Sequence, residues 1–357
     1  MITLVLRKIS LMKYTRIPHT DIRISKICLG TMTWGRQNNE DDAHEQMDYA
    51  LDQGVNFFDT AEMYPVPPKK ELYAVTEELI GNWFKKSGNR DRVVLATKIA
   101  GRGYAAKEIR DTGFSKESLI GAVEGSLRRL QTDYIDLYQL HWPERNTNFF
   151  GQRGFNAHAI DGWEDNIHQV LETLRDLKAE GKIRQVGISN ETPWGTMRYL
   201  EESKVHQSLP RMLTIQNPYS LLNRLFEVGL SEISMREQIG LLAYSPMAFG
   251  VLSGKYLTDI PPRKARVTLF PQYDRYSSPA AVEATKKYAE LAKEHNLSMA
   301  QMALAFVNSR PFVTSNIIGA TTMEQLKENI ESIEVNLSDE VLKGIDEIHN
   351  AIPNPSP

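Results

Sequence analysis

An acid and a phenol stand together in the run FFDTAEMYPVPP. Asp59 follows an apolar stretch, Tyr64 comes five positions later, and Pro65, Pro67 and Pro68 close the segment. Two more polar residues end apolar runs downstream, Lys98 in VVLATK and His141 in DLYQLHWP. Singly each has an ordinary explanation: a solvated strand-end lysine, a loop histidine, a loop aromatic. Together they fit one chemistry. A phenol has an unperturbed pKa of roughly 10 and is a poor acid–base at neutral pH. A neighbouring ammonium favours the phenolate and lowers that value. An aspartate beside the lysine holds it charged and in position, and a histidine beside the phenol donates to a carbonyl oxygen and orients it. The result is a proton donor aimed at an oxygen that becomes negative as hydride reaches its carbon. No side chain supplies hydride, so a nicotinamide cofactor is implied.

Such a set works only if the fold brings its members to one place. Eight strand candidates run along the chain: KICLG (26–30), NFFDT (56–60), VVLATK (93–98), DLYQLH (136–141), RQVGISN (184–190), LTIQN (213–217), LLAYS (241–245) and NIIGA (316–320). They are nearly continuous apolar runs, as expected of parallel strands covered on both faces. Helical periodicity lies between them at 71–84, 116–130, 170–182 and 298–309, and again after the last strand at 321–330. Eight strand–helix units predict a closed (β/α)8 TIM barrel, an α/β fold. Asp59, Lys98 and His141 then fall at the C-terminal ends of three successive strands, where barrels build active sites. Long loops are expected after strands four (143–165) and seven (251–279), at the same face, and YTRIPHTDIRISKI reads as a hairpin plugging the opposite end.

Composition narrows the partners. The chain has 357 residues, a net charge of −3 and no basic block, which argues against nucleic acid. Its single cysteine, Cys28, fits a reducing compartment, and a cytoplasmic location is expected. The opening MITLVLRKISLMKY is too short and interrupted for a signal peptide or a membrane span. Residues 1–12 are expected to be an extension and 13–357 a single barrel domain, and the sequence assigns no oligomeric state.

The runs GTMTWG, DTAEMY, LATK, QLHWP, VGISN, QNPYSLLNR, AYSPMAFGVLSGKY and IIGATTMEQLKENI, in that order, resemble the motifs of the aldo-keto reductase family. The resemblance extends over about residues 13–349, and potassium-channel β-subunits share the same broad branch. It implies a catalytic tetrad of Asp59, Tyr64, Lys98 and His141, with Tyr64 the general acid in reduction and the base in the reverse direction. It implies nicotinamide contacts from Ser189, Asn190 and Gln216, with Tyr244 stacking on the ring and Gly30, Thr31, Met32 and Asp59 nearby. SPMAFGVLSGK resembles a pyrophosphate loop, which assigns Ser245, Pro246, Met247, Gly250, Leu252, Gly254 and Lys255, with Arg266 joining Lys255 at the phosphates. Many members place a Lys and an Arg around the 2′-phosphate; Gly319 and Gln325 stand there instead, as in the channel branch. On that pattern Gly319, Thr321, Gln325, Glu328 and Asn329 meet the adenosine end, and NADP(H) is favoured over NAD(H).

The substrate implied is a small aldehyde or ketone. Trp34, Tyr64, His141 and Trp142 are expected to line its pocket, with Phe149, Phe150 and Phe155 close by or merely anchoring their own loop. Other readings rank lower. GRGYAA (101–106) fits a dinucleotide fingerprint, but EIRDTGFS interrupts the helix that should follow. A metal-dependent hydrolase lacks His-x-His at a strand end and H-E-x-x-H, so no metal is expected. A cofactor-binding regulatory subunit with slow turnover, like the channel β-subunits, stays open as the alternative.

Overall fold

The structure, a computed structural model, describes residues 12–103, 106–107, 109–152, 154–159 and 161–356. The expected extension, apart from Met12, lies outside the described residues, as do Tyr104 and Ala105 of GRGYAA.

A two-stranded antiparallel hairpin, β1 (Tyr14–Arg16) and β2 (Arg23–Ser25), precedes the barrel. The barrel strands are β3 (Ile27–Gly30), β4 (Phe57–Asp59), β5 (Val94–Ile99), β6 (Ile135–Leu140), β7 (Ile183–Ser189), β8 (Thr214–Pro218), β9 (Gly240–Tyr244) and β10 (Val313–Ile318). All pair in parallel, and β10 bonds back to β3, which closes the barrel and removes its edges. The expected (β/α)8 fold and the hairpin are both present.

The helical layer is α1 (Glu40–Asp52), α2 (Val75–Ser87), α3 (Lys116–Leu130), α4 (Ile167–Ala179), α5 (Pro193–Val205), α6 (Leu230–Glu237), a single turn α7 (Arg266–Leu269), α8 (Pro279–Glu294), α9 (Met299–Ser309), α10 (Met323–Glu331) and α11 (Asp339–Ala351). The helix expected at 71–84 is split: a 3-10 turn covers Lys70–Leu72, and Ala74 at φ 63° breaks the path before α2. The segment expected as loop at 251–279 is not bare, since a 3-10 stretch ends at Ser253 and α7 follows. Among the described residues the next α-helix after β5 is α3, which begins at Lys116 and is capped by Ser115, too far from GRGYAA to support the dinucleotide-fingerprint reading.

Two apolar layers sandwich the strands. The larger lies between barrel and helices. The smaller fills the barrel floor with Cys28, Phe57, Ala96, Leu137, Leu213, Leu242 and Ile317, and the hairpin seals it with Ile17 and Ile24. A strand side chain returns to the same face every second residue. Two steps up from Phe57, Ala96 and Leu137 stand Asp59, Lys98 and Gln139, so the barrel interior changes from apolar floor to polar site within one repeat.

Candidate active site

Asp59, Lys98 and Gln139 are buried at the upper ends of β4, β5 and β6. Lys98 Nζ donates to Asp59 Oδ1 at 2.5 Å and to the Thr60 carbonyl at 2.8 Å, and lies 3.4 Å from the Tyr64 hydroxyl. The second carboxylate oxygen of Asp59 accepts from Gln216 Nε2 at 2.8 Å and from Gln139 Nε2 at 3.1 Å. The His141 ring stands edge-on to Tyr64, with centroids 5.8 Å apart. Asp59, Tyr64, Lys98 and His141 are thus brought together at one mouth.

Tyr64 sits on a loop pinned from below. The buried Glu62 accepts from the Ala100 amide at 2.7 Å, from Arg110 at 2.6 Å and from the Tyr73 hydroxyl at 3.0 Å. Tyr64 N then bonds Ala61 O at 3.0 Å and Val66 N bonds Met32 O at 2.9 Å, which ties this loop to the one after β3.

The electrostatics differ from the sequence reading in one respect. Lys98 was expected to lower the Tyr64 pKa. Burial pushes the phenol up, and the Lys98 ammonium pulls it back only in part, so it lies above its ordinary value. Burial also opposes the charge on Lys98, but Asp59 and then Tyr64 outweigh it and raise its pKa. Burial, with Lys98 second, holds His141 well below the usual imidazole range, so the ring is neutral at pH 7. Its Nδ1 is buried without a protein partner.

Beside this core lies a carboxamide cluster. Ser189 Oγ donates to the Gln216 carbonyl at 2.8 Å, Asn190 Nδ2 donates to the His141 carbonyl at 2.9 Å, and the Tyr244 hydroxyl donates to Asn190 Oδ1 at 2.6 Å. Left-handed backbone gathers here and just beyond: Asn190, Ser245, Ala248 and Phe249 all have φ between 47° and 57°. Such conformations cost of order 1 kcal/mol each for residues with a Cβ, and they cluster at functional sites. In the same loop Gly250 has φ 86°, and a Cβ there would stand 2.7 Å from Lys255 Nζ. A side chain there would have to push the end of that lysine aside, and the positive φ itself favours glycine.

The residues match the profile of the Aldo/keto reductase family over 26–350. The chain belongs to the aldo/keto reductase family. Protein tas of Escherichia coli is 49% identical over 353 residues, 97% of this chain and all of that protein. The uncharacterized oxidoreductase YrpG of Bacillus subtilis is 34% identical over 343 residues, 94% of this chain and 96% of its own length. Norsolorinic acid reductase B of Dothistroma septosporum is 28% identical over 350 residues, 94% of this chain and 80% of its own. This aldo/keto reductase is therefore an oxidoreductase with a TIM barrel.

Several other predicted positions in this reductase have structural engagements of their own. Thr31 Oγ1 donates to the Asp59 carbonyl at 2.9 Å, while a Cβ at Gly30 would lie 2.8 Å from the Ile318 carbonyl, so the β3–β10 seam requires glycine. Met32 packs beside Tyr64. Leu252 is buried, and the partly buried Met247 packs on the core. Gln325 Oε1 accepts from the Thr321 amide at 3.0 Å, Asn329 Nδ2 donates to the Gly319 carbonyl at 3.2 Å, and Glu328 accepts from the Ser298 hydroxyl. A Cβ at Gly319 would meet nothing within 4 Å.

Trp34 departs from expectation. It is fully buried in the layer between barrel and helices, and its Nε1 donates to Gln46 on α1 at 3.2 Å. Its indole serves the core and not the pocket. Trp142 is buried beside the site, where Tyr64, Met63, Ala61, Phe149 and Phe150 join it in one apolar cluster. Phe155 is 65% exposed and is not part of that cluster.

Three participants escaped the sequence reading. Gln139 was visible as a polar residue inside DLYQL, but nothing local says that it faces Asp59. Glu62 sits within DTAEMY and reads as a loop acid until its buried partners are seen. Arg275, from the loop before α8, stands against Tyr244 and Tyr276, two tyrosines that offset the burial cost of its charge.

Proposed function

We propose that this reductase converts small aldehydes or ketones to alcohols with NADPH, Tyr64 acting as general acid. The observation that carries the reading is the buried Asp59–Lys98–Tyr64 chain, ending in a phenol beside a neutral imidazole.

The residues present fit a dinucleotide phosphate. Lys255 and Arg266 are drawn below their ordinary pKa values, Lys255 by burial and then by Arg266, and Arg266 by burial. Among the described residues no carboxylate is paired with either one. Two crowded, unneutralised cations at a loop of left-handed backbone suit phosphate oxygens. The open space at Gly319 leaves room at the adenosine end. Ser189, Asn190, Gln216 and Tyr244 would hold the nicotinamide end.

When bound, the cofactor supplies hydride. Tyr64 holds the proton, and its raised pKa keeps the phenol protonated at neutral pH. As the carbonyl oxygen gains charge, the hydroxyl transfers its proton there. Lys98, charged and fixed by Asp59, stabilises the phenolate that remains. The neutral His141 orients the carbonyl oxygen through a ring N–H. Trp142, Phe149 and Phe150 exclude water on one side, which favours apolar or aromatic carbonyl substrates. The lone buried Cys28 is in keeping with a reducing, cytoplasmic setting.

NADPH consumption with an aromatic aldehyde, with NADH in parallel and Tyr64→Phe as control, tests the proposal. Turnover that survives in Tyr64→Phe would refute the role given to that residue. Equal rates with NADH would refute the cofactor preference.

A further inference from the structure

A second cluster lies in the helical layer, among residues unrelated to the tetrad. His168 in the first turn of α4, Glu202 in α5 and His206 at the C-terminal cap of α5 offer two imidazole nitrogens and a carboxylate oxygen, all within 4.8 Å of one another. His168 Nδ1 lies 2.6 Å from Glu202 Oε1, and His206 Nε2 lies 3.4 Å from that same oxygen. Glu202 and His206 share a helix face through their i, i+4 spacing. His168 is delivered by packing between elements: Trp163 and Trp194 meet at 6.3 Å, Arg198 donates to Asp165 at 2.8 Å, and the His168 ring stands edge-on to His206 at 4.8 Å.

The carboxylate is held for this arrangement. Arg198 takes Glu202 Oε2, which leaves Oε1 turned to the two imidazoles. Glu202 is nearly buried, whereas both rings are about half exposed and reachable from solvent. Glu172 lies 3.9 Å from His168 Nε2, an acidic neighbour on the same helix and not a hydrogen-bond partner.

Two imidazoles and one carboxylate form a donor set for borderline divalent transition metals. Tetrahedral zinc, with bonds of about 2.0–2.2 Å, sets its donor atoms roughly 3.4 Å apart. The Glu202–His206 separation already has that value, and a rotation of the exposed His168 ring opens the shorter one. We propose that His168, Glu202 and His206 form a three-ligand site for a divalent transition metal of the zinc class, clasping α5 to α4 and leaving a fourth position to water.

The test is a calorimetric titration of Zn2+ alone into the full chain after chelator treatment. One site per chain is expected, weakened at least about tenfold in His168→Ala and in His206→Ala, each of which removes one of three ligands. His206→Gln keeps a hydrogen-bonding side chain but should lose zinc in the same way. The thermal midpoint should rise by roughly 5 °C at about 100 times Kd, and not in these variants. Reductase turnover should be the same with and without chelator, so the outcome is independent of the proposed carbonyl reduction. No zinc binding by the wild type, or equal binding by the wild type and the histidine variants, would overturn the site.

Discussion

Gln139 Nε2 lies 3.1 Å from Asp59 Oδ2, although the two residues are eighty positions apart in the chain. With Gln216 on the same oxygen and Lys98 on the other, Asp59 is held on both sides by donors from three different strands. A buried carboxylate needs this satisfaction, because an unpaired charge there costs several kcal/mol. Gln139 therefore acts through Asp59 and Lys98 as a positioning residue.

Gln139→Leu, close in volume, removes one hydrogen bond to a charged group. We expect kcat to fall about tenfold while NADPH affinity holds. Gln216→Leu should lower both, since Gln216 also stands in the carboxamide cluster. Parallel kcat and Kd measurements on the two variants separate the roles; equal NADPH binding in both would place Gln216 outside the cofactor site.

Tyr64→Phe keeps the ring and deletes the proton. Turnover should drop about 10²- to 10⁴-fold, the usual worth of a general acid. Fluorescence titration with NADPH should give a nearly unchanged Kd. A matching loss of binding would mean that the hydroxyl serves the cofactor and not the carbonyl.

Lys255→Ala and Arg266→Ala should each weaken NADPH by about tenfold or more, the scale of a hydrogen bond to a charged group. In each single variant the remaining cation is relieved of its neighbour and compensates in part, so the loss in the double variant should exceed the sum of the two. Wild-type NADPH affinity should fall with added salt, and more gently in the variants. Titrations at two ionic strengths decide it.

His141 supplies a pH signature. Its pKa is depressed in the folded chain, mainly by burial, so the unfolded chain binds more protons below about pH 6.5. Stability from this group is complete above that pH and is lost as pH falls toward the folded value, at up to about 1.4 kcal/mol per pH unit. Urea unfolding at pH 7 and pH 5.5 should show this slope in the wild type and a reduced one in His141→Gln. Identical slopes would indicate that the ring is protonated without penalty.

Much of the site was readable because each motif is short. The tetrad residues end strands or follow them closely, and the two-residue repeat sends them inward from recognisable apolar runs. The eight runs, uninterrupted by polar faces, marked parallel strands for the same reason: helices cover them outside and side chains fill them inside. Trp34 was misread because an aromatic after a strand looks alike whether it turns to the mouth or to α1; only the contact with Gln46 tells them apart.

The sequence by itself determined which groups were available: an acid, a phenol, an ammonium and an imidazole, each at the end of or just beyond an apolar run. Tertiary structure decided what those groups became. Desolvation depends on how much of the chain closes over a side chain, and for Tyr64 it outweighs the ammonium 3.4 Å away. Pairing across the barrel depends on register between distant strands, which is why Gln139 and Gln216 meet on Asp59 although no local pattern links them.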